Sequence, residues 1–91
     1  MKSILLAGAM TLAIVGNVQA ATFSGYECTM DCSGHKAGYE WAKTKDILSE
    51  TECEAIVRRA PNRTSFYEGC LAYVEDPFRG ADEDDDGNDI E

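Results

Sequence analysis

The sequence predicts a mainly α fold: a small three-helix domain stapled by disulfides, followed by a disordered acidic C-terminal tail. Three observations carry that expectation. Apolar residues recur at helical spacing in three stretches between Ser33 and Val74, two of them opened by a capping-box pattern. Four cysteines, an even number, stand at C-x3-C-x20-C-x16-C. Seven of the last ten residues, DEDDDGNDIE, are acidic.

Residues 1–20 read as a cleavable secretory signal peptide. Lys2 supplies the basic start, Ile4 to Val15 form an apolar run broken only by Gly8 and Thr11, and Val18-Gln19-Ala20 offers small residues for cleavage after Ala20. The run is shorter than the about 20 residues that span a bilayer, so the membrane is expected to be met only transiently, during export. The remaining 71 residues suffice for one domain but bury too little surface to be robust without a staple. In an exported chain the cysteines Cys28, Cys32, Cys53 and Cys70 therefore read as two bridges, each contributing about 2–4 kcal/mol. A bridge between Cys28 and Cys32 closes only a trivial loop, so each of them is expected to join one of Cys53 and Cys70. Zinc sites prefer two close cysteine pairs and redox motifs prefer C-x-x-C on a βαβ pattern; neither is present.

Taken in order, residues 21–31 are mixed and turn-rich. The first helix is expected from a cap at Asp31 or Ser33 to about Lys45, with Gly34, Gly38 and Ala42 forming a smooth stripe for close packing. Tyr39 and Trp41 add bulk on neighbouring faces. The second helix is announced by the capping box Ser49-Glu50-Thr51-Glu52, places Cys53, Ile56 and Val57 on one face, and stops at Ala60-Pro61. A second capping-box pattern, Ser65-Phe66-Tyr67-Glu68, opens the third, which carries Phe66, Cys70, Tyr73 and Val74 at helical spacing. Periodicity ends after Asp76-Pro77, so the domain is drawn over residues 21–79 and the acidic tail over 80–91.

Without Lys2, seven basic residues face seventeen acidic ones, a net charge of −10. Nucleic acid is thereby an unfavourable ligand, whereas basic proteins and divalent cations are favoured. Asp31, Ser33 and His35 are the residue types of a hydrolase triad, but on one helix they fan apart and the reciprocal hydrogen bonds fail. A base at His35 therefore needs a carboxylate from elsewhere, with Glu68 or Asp76 as candidates; the plainer reading makes His35 structural. His35, Tyr39 and Trp41 are the candidate interaction residues, with the core as the competing place for the aromatics.

The sharpest candidate site is in the tail. Asp82, Asp84, Asp86 and Gly87 form D-x-D-x-D-G, the opening of an EF-hand-type calcium loop, although Glu91 stands at the tenth position rather than the twelfth. The run also resembles the D-x-D-x-D-G-x-x-C-E motif of the small extracellular Excalibur calcium-binding domain, through Asp82, Asp84, Asp86, Gly87 and Glu91, with Ile90 in the cysteine's place. That resemblance implies a Ca2+ ligand set of Asp82, Asp84, Asp86 and Glu91, of about millimolar affinity.

The run from Tyr26 through Cys28, Cys32, Ser33, Gly34, His35, Gly38 and Tyr39 to Trp41 and Ala42, with the later stretch Ser65 to Val74, resembles a group of small exported bacterial and phage proteins. The resemblance implies a bacterial, periplasmic origin and transfers no catalytic residue. The expectation from the whole chain is a non-enzymatic exported protein, periplasmic or secreted, that binds another envelope or secreted protein of basic character. A calcium module acting through the tail and a small hydrolase centred on His35 are the alternatives.

Overall fold

The computed structural model describes residues 21–91, so the expected signal peptide lies outside the described residues. The chain runs β1 (Thr22–Phe23), β2 (Tyr26–Glu27), α1 (Ser33–Lys45), α2 (Glu50–Arg59) and α3 (Thr64–Glu75). The expected small, mainly α, disulfide-stapled domain is what these elements form. Among the described residues no helix is long and apolar enough to cross a membrane.

Helix α1 starts where expected. Its cap residue, however, is Cys32 rather than the expected Asp31 or Ser33, because these two occupy one another: Asp31 accepts from both the Ser33 amide (3.0 Å) and the Ser33 hydroxyl (2.7 Å). Its C-cap, Asp46, is left-handed (φ 57°) and closes the helix through amide bonds to the Ala42 and Lys43 carbonyls. In α2 the capping box forms: the Glu52 carboxylate reaches back to the Leu48 (3.0 Å) and Ser49 (3.3 Å) amides. The box expected at Ser65 does not form. Arg63 is the cap residue of α3 and Ser65 lies inside the helix, because the chain resumes helical geometry directly after the Pro61-Asn62 turn.

The central contact is α1 against α3. A Cβ on Gly38 would stand 2.0 Å from the Phe66 carbonyl oxygen, and a Cβ on Gly69 would stand 2.0 Å from that of His35. The two helices therefore touch backbone to backbone through a reciprocal glycine pair. The expected small-residue stripe is used as such, and Gly69 is its counterpart on α3.

Helix α2 is held to α3 by the Cys53–Cys70 disulfide. The remaining bridge corrects the expected pairing: Cys28 joins Cys32. Their Cα atoms, four residues apart in sequence, lie 5.0 Å apart across the turn into α1, inside the normal bridging range. The short loop is not idle, since both half-cystines are buried against Phe23, Tyr39 and Ile90, fastening the end of β2 to the start of α1.

Two apolar clusters result. One gathers Phe23, the Cys28–Cys32 bridge, Tyr39, Ala72, Ala81 and Ile90. The other gathers Ala42, Ile47, Cys53 and Cys70, with Trp41 and Ile56 partly buried beside them. Tyr73 packs against both, its ring edge-on to Tyr39 at 5.3 Å.

Two expectations about the chain ends are corrected. Residues 21–31 contain a β-hairpin, whose two-residue turn has both Ser24 (φ 55°) and Gly25 (φ 87°) in the left-handed region, as a type I′ turn requires. The acidic segment 80–91, expected as a disordered tail, is folded. Ile90 is 8% exposed within the first cluster, Glu83 and Asp89 form an antiparallel bridge, and the Ile90 amide donates to the Asp82 carbonyl at 2.8 Å. Its charge did not prevent folding because Ile90 enters the first cluster and the Asp85 carboxylate, though 31% exposed, is taken up by four hydrogen-bond donors.

Candidate functional site

Asp85 organises the acidic segment. Its carboxylate accepts from the Thr22 hydroxyl and the Ser24 and Gly25 amides, each at 2.8 Å, and from the Arg79 guanidinium at 2.9 Å. The hairpin turn thus presents two adjacent amides as a small anion-binding nest, and the protein fills it with its own side chain. Arg79 is fixed in turn, stacked 3.8 Å from the centroid of the Phe23 ring and donating to the Gly80 carbonyl at 2.8 Å. Burial of Asp85 favours its neutral form, but the hydrogen bonds from Arg79, Gly25, Thr22 and Ser24 outweigh that and hold its carboxyl well below the usual range.

Around this anchor the other carboxylates face outward. Asp82, Glu83, Asp84 and Asp85, with Arg79 and Gly80, line a polar cleft of about 440 Å³. Asp84 also shapes the loop, its Oδ1 accepting from the Asp86 and Asn88 amides at 2.9 Å each, which lowers its pKa, the Asn88 bond most. Gly87 follows at φ 86°, in the left-handed region that favours glycine. Asp82 is almost fully exposed, with its nearest cation, Lys36, at 3.9 Å. Glu91 lies with Asp84, Asp89, Ala21 and Met30 along a neighbouring hollow that shares Asp84 with the cleft. Among the described residues no group of three or more acidic, histidine or cysteine side chains is gathered as a cation site.

The histidine predicted from the sequence has found its carboxylate. His35 Nε2 and Glu68 Oε1 are 2.8 Å apart across the α1–α3 contact. So short a contact to a carboxylate oxygen calls for a proton on Nε2, while Nδ1 is buried without a partner among the described residues. The imidazole is shielded, His35 being 0% exposed and packed against Phe23 at 5.9 Å, while the Glu68 side chain is 25% exposed. Ser33 turns its hydroxyl to Asp31. The three triad-type residues of the 31–35 segment are therefore not brought together, and the imidazole has no open face for a substrate. Asp76, the other candidate carboxylate, caps the Phe78 amide instead.

Nearby, Tyr26 donates to Glu75 at 2.9 Å and latches the hairpin to the end of α3. Burial, then the hydrogen bond and charge of Glu75, push the Tyr26 hydroxyl up to about 12. Tyr39 is buried, its hydroxyl donating to the Asp76 carbonyl and accepting from the Gly80 amide, both at 2.9 Å. It thereby fixes the 76–80 turn from which the acidic loop departs. Of the three candidate interaction residues, only Trp41 keeps an exposed face.

Sequence reasoning missed Asp85, because one carboxylate among five acidic residues in a row looks like its neighbours; the Ser24-Gly25 turn flanked by aromatics was the signal for the nest that receives it. Comparison of the chain with protein-family models, curated proteins and solved structures found no match in any of the three.

Proposed function

We propose that this is an exported binding protein of the cell envelope, periplasmic or secreted, whose acidic loop seats a basic side chain of another envelope or secreted protein. One observation carries the reading: the loop is held at two points, by Asp85 in the hairpin nest and by Ile90 in the core, with the Ile90 amide bonded to Asp82 and Glu83 bridged to Asp89, so its carboxylates are pre-positioned around a cleft. Pre-positioned charge lowers the ordering cost of association and accelerates encounter with an oppositely charged surface. A basic envelope enzyme such as a lysozyme is the type of partner that this charge suits.

The test is capture from envelope extract at low and moderate salt, in parallel with a protein carrying Asp82→Asn, Glu83→Gln and Asp86→Asn. These three carboxylates make none of the loop's internal hydrogen bonds, so their loss removes charge and spares the fold. A salt-sensitive partner held by the wild type and lost by the variant supports the proposal; retention by both, or the absence of any salt-sensitive partner, refutes it.

A second reading takes Asp82, Asp84, Asp86 and Glu91 as weak calcium ligands. It is favoured by Ile90, which secures the loop at the position where the Excalibur motif has its cysteine. Calorimetry at millimolar calcium, with near-UV spectra in chelator, tests it; no heat of binding and no spectral change would sink it.

A further inference from the structure

A second concavity, of about 460 Å³, lies where α1, α2 and the start of α3 converge, and it shares no residue with the acidic cleft. Trp41 and Phe66 wall it, their ring centroids 5.6 Å apart and their planes inclined by 56°. Ala55, Ile56 and Ala60 complete an apolar surface that is only half-buried. Its rim is basic. Arg63 holds its guanidinium over the Phe66 ring, 4.1 Å from the centroid, and Arg59 stands on the α2 side. Neither guanidinium has a carboxylate or carbonyl partner among the described residues, whereas the adjacent Arg58 faces Glu54 at 3.9 Å. The lining carboxylate, Glu52, is engaged with the Leu48 and Ser49 amides. In a chain of such acidic balance, this groove is a place where two unpaired cations adjoin apolar surface.

We propose that the groove docks a segment of a second protein, an acidic peptide carrying a bulky apolar side chain. The apolar side chain lies between Trp41 and Phe66, and a neighbouring carboxylate takes the N–H edges of Arg59 and Arg63 in a charge-assisted, forked hydrogen bond. Aromatic and arginine residues set around a partly dry hollow are the composition of an interface hot spot. The inference is independent of the acidic-loop reading, and the loop carboxylates need not be altered to test it.

Trp41 is the only tryptophan in the chain, so its emission reports directly on the groove. The disulfide-intact protein would be titrated with a capped heptapeptide in which a Phe-Leu pair is flanked by glutamates. Two control peptides replace the glutamates by lysines or the Phe-Leu pair by alanines. The expected result is a saturable blue shift of Trp41 emission, about tenfold weaker in apparent affinity for each control and for a protein carrying Arg59→Glu and Arg63→Glu. Arg59→Gln alone, whose side chain makes no internal bond, gives an intermediate loss, and far-UV circular dichroism checks that the helices persist in both variants. Equal binding of the lysine peptide, no loss in the arginine variants, or no emission change with any peptide overturns the proposal. So does a shift produced by raising the protein concentration alone, which assigns the groove to a second copy, or by anionic phospholipid vesicles where the peptide gives none.

Discussion

At the scale of single residues, two kinds of side chain decide the fold: those that are absent and those that are turned inward. Gly38 and Gly69 belong to the first kind. A methyl group at either would meet a backbone carbonyl at 2.0 Å, which no rotamer change relieves, so Gly38→Ala and Gly69→Ala are each expected to cost about 3 kcal/mol, the upper end of overpacking effects. Gly34→Ala meets the Ser65 Cβ at 3.0 Å and is expected to cost less; urea denaturation of the three variants ranks them. Asp85 belongs to the second kind. Its folded-state pKa is depressed, so its contribution is complete above the ordinary aspartate value of about 4 and is lost as pH falls through the folded value. Stability should decline on acidification below about pH 4, and Asp85→Asn should flatten that limb while weakening the protein at pH 7. Tyr26 has the opposite sign. Its hydroxyl is raised to about 12, so its contribution stands below the ordinary tyrosine value of about 10 and fades as pH rises from there through 12; Tyr26→Phe removes that alkaline dependence in the same denaturation series.

At the scale of elements, the extents of α1 and α2 were legible to within a residue or two. Both are bounded by local chemistry: the left-handed Asp46 that closes α1, and in α2 a capping box before it and a proline after it. The start of α3 was not, because a capping-box pattern needs the preceding residue to leave the helical region, and here the chain is already helical at Thr64. The disulfide pairing was misread for a related reason. Loop size alone suggested that Cys28–Cys32 staples nothing, yet the entropic estimate for so small a loop is still about 2 kcal/mol, against about 3 kcal/mol for Cys53–Cys70. Replacing both cysteines of the longer bridge by alanine should therefore lower the urea midpoint more than replacing both of the shorter one. Proteolytic mapping without reduction should recover Cys28 and Cys32 linked to each other. The acidic loop behaves as an element in its own right. Ile90→Ala should cost about 2–4 kcal/mol and, in hydrogen exchange, unprotect the Asp84, Asp85 and Ile90 amides that the folded loop shields.

At the scale of the whole molecule, two disulfides with no cysteine left free fit an oxidising, extracellular setting. The export proposed above predicts a product with the mass of residues 21–91 less four hydrogens; an intact N-terminus or four alkylatable thiols would contradict that. What the sequence determined by itself was what short-range pattern sets: a mainly helical domain, the capping box of α2, the small stripe on α1, an even cysteine set, and a strongly acidic chain in which His35 needs a partner from another segment. Caps, periodicity and composition act within a turn or two of helix, so they are readable without a fold. Only the tertiary structure decided which glycine answers Gly38, that Glu68 rather than Asp76 meets His35, that Cys28 closes on Cys32, and that Asp85 alone among its neighbours turns into the hairpin nest while Ile90 enters the core. Each of these joins groups that are far apart in sequence or locally indistinguishable, and what selects among them is packing volume and the need of each buried polar group for a partner, which exist only once the chain is assembled.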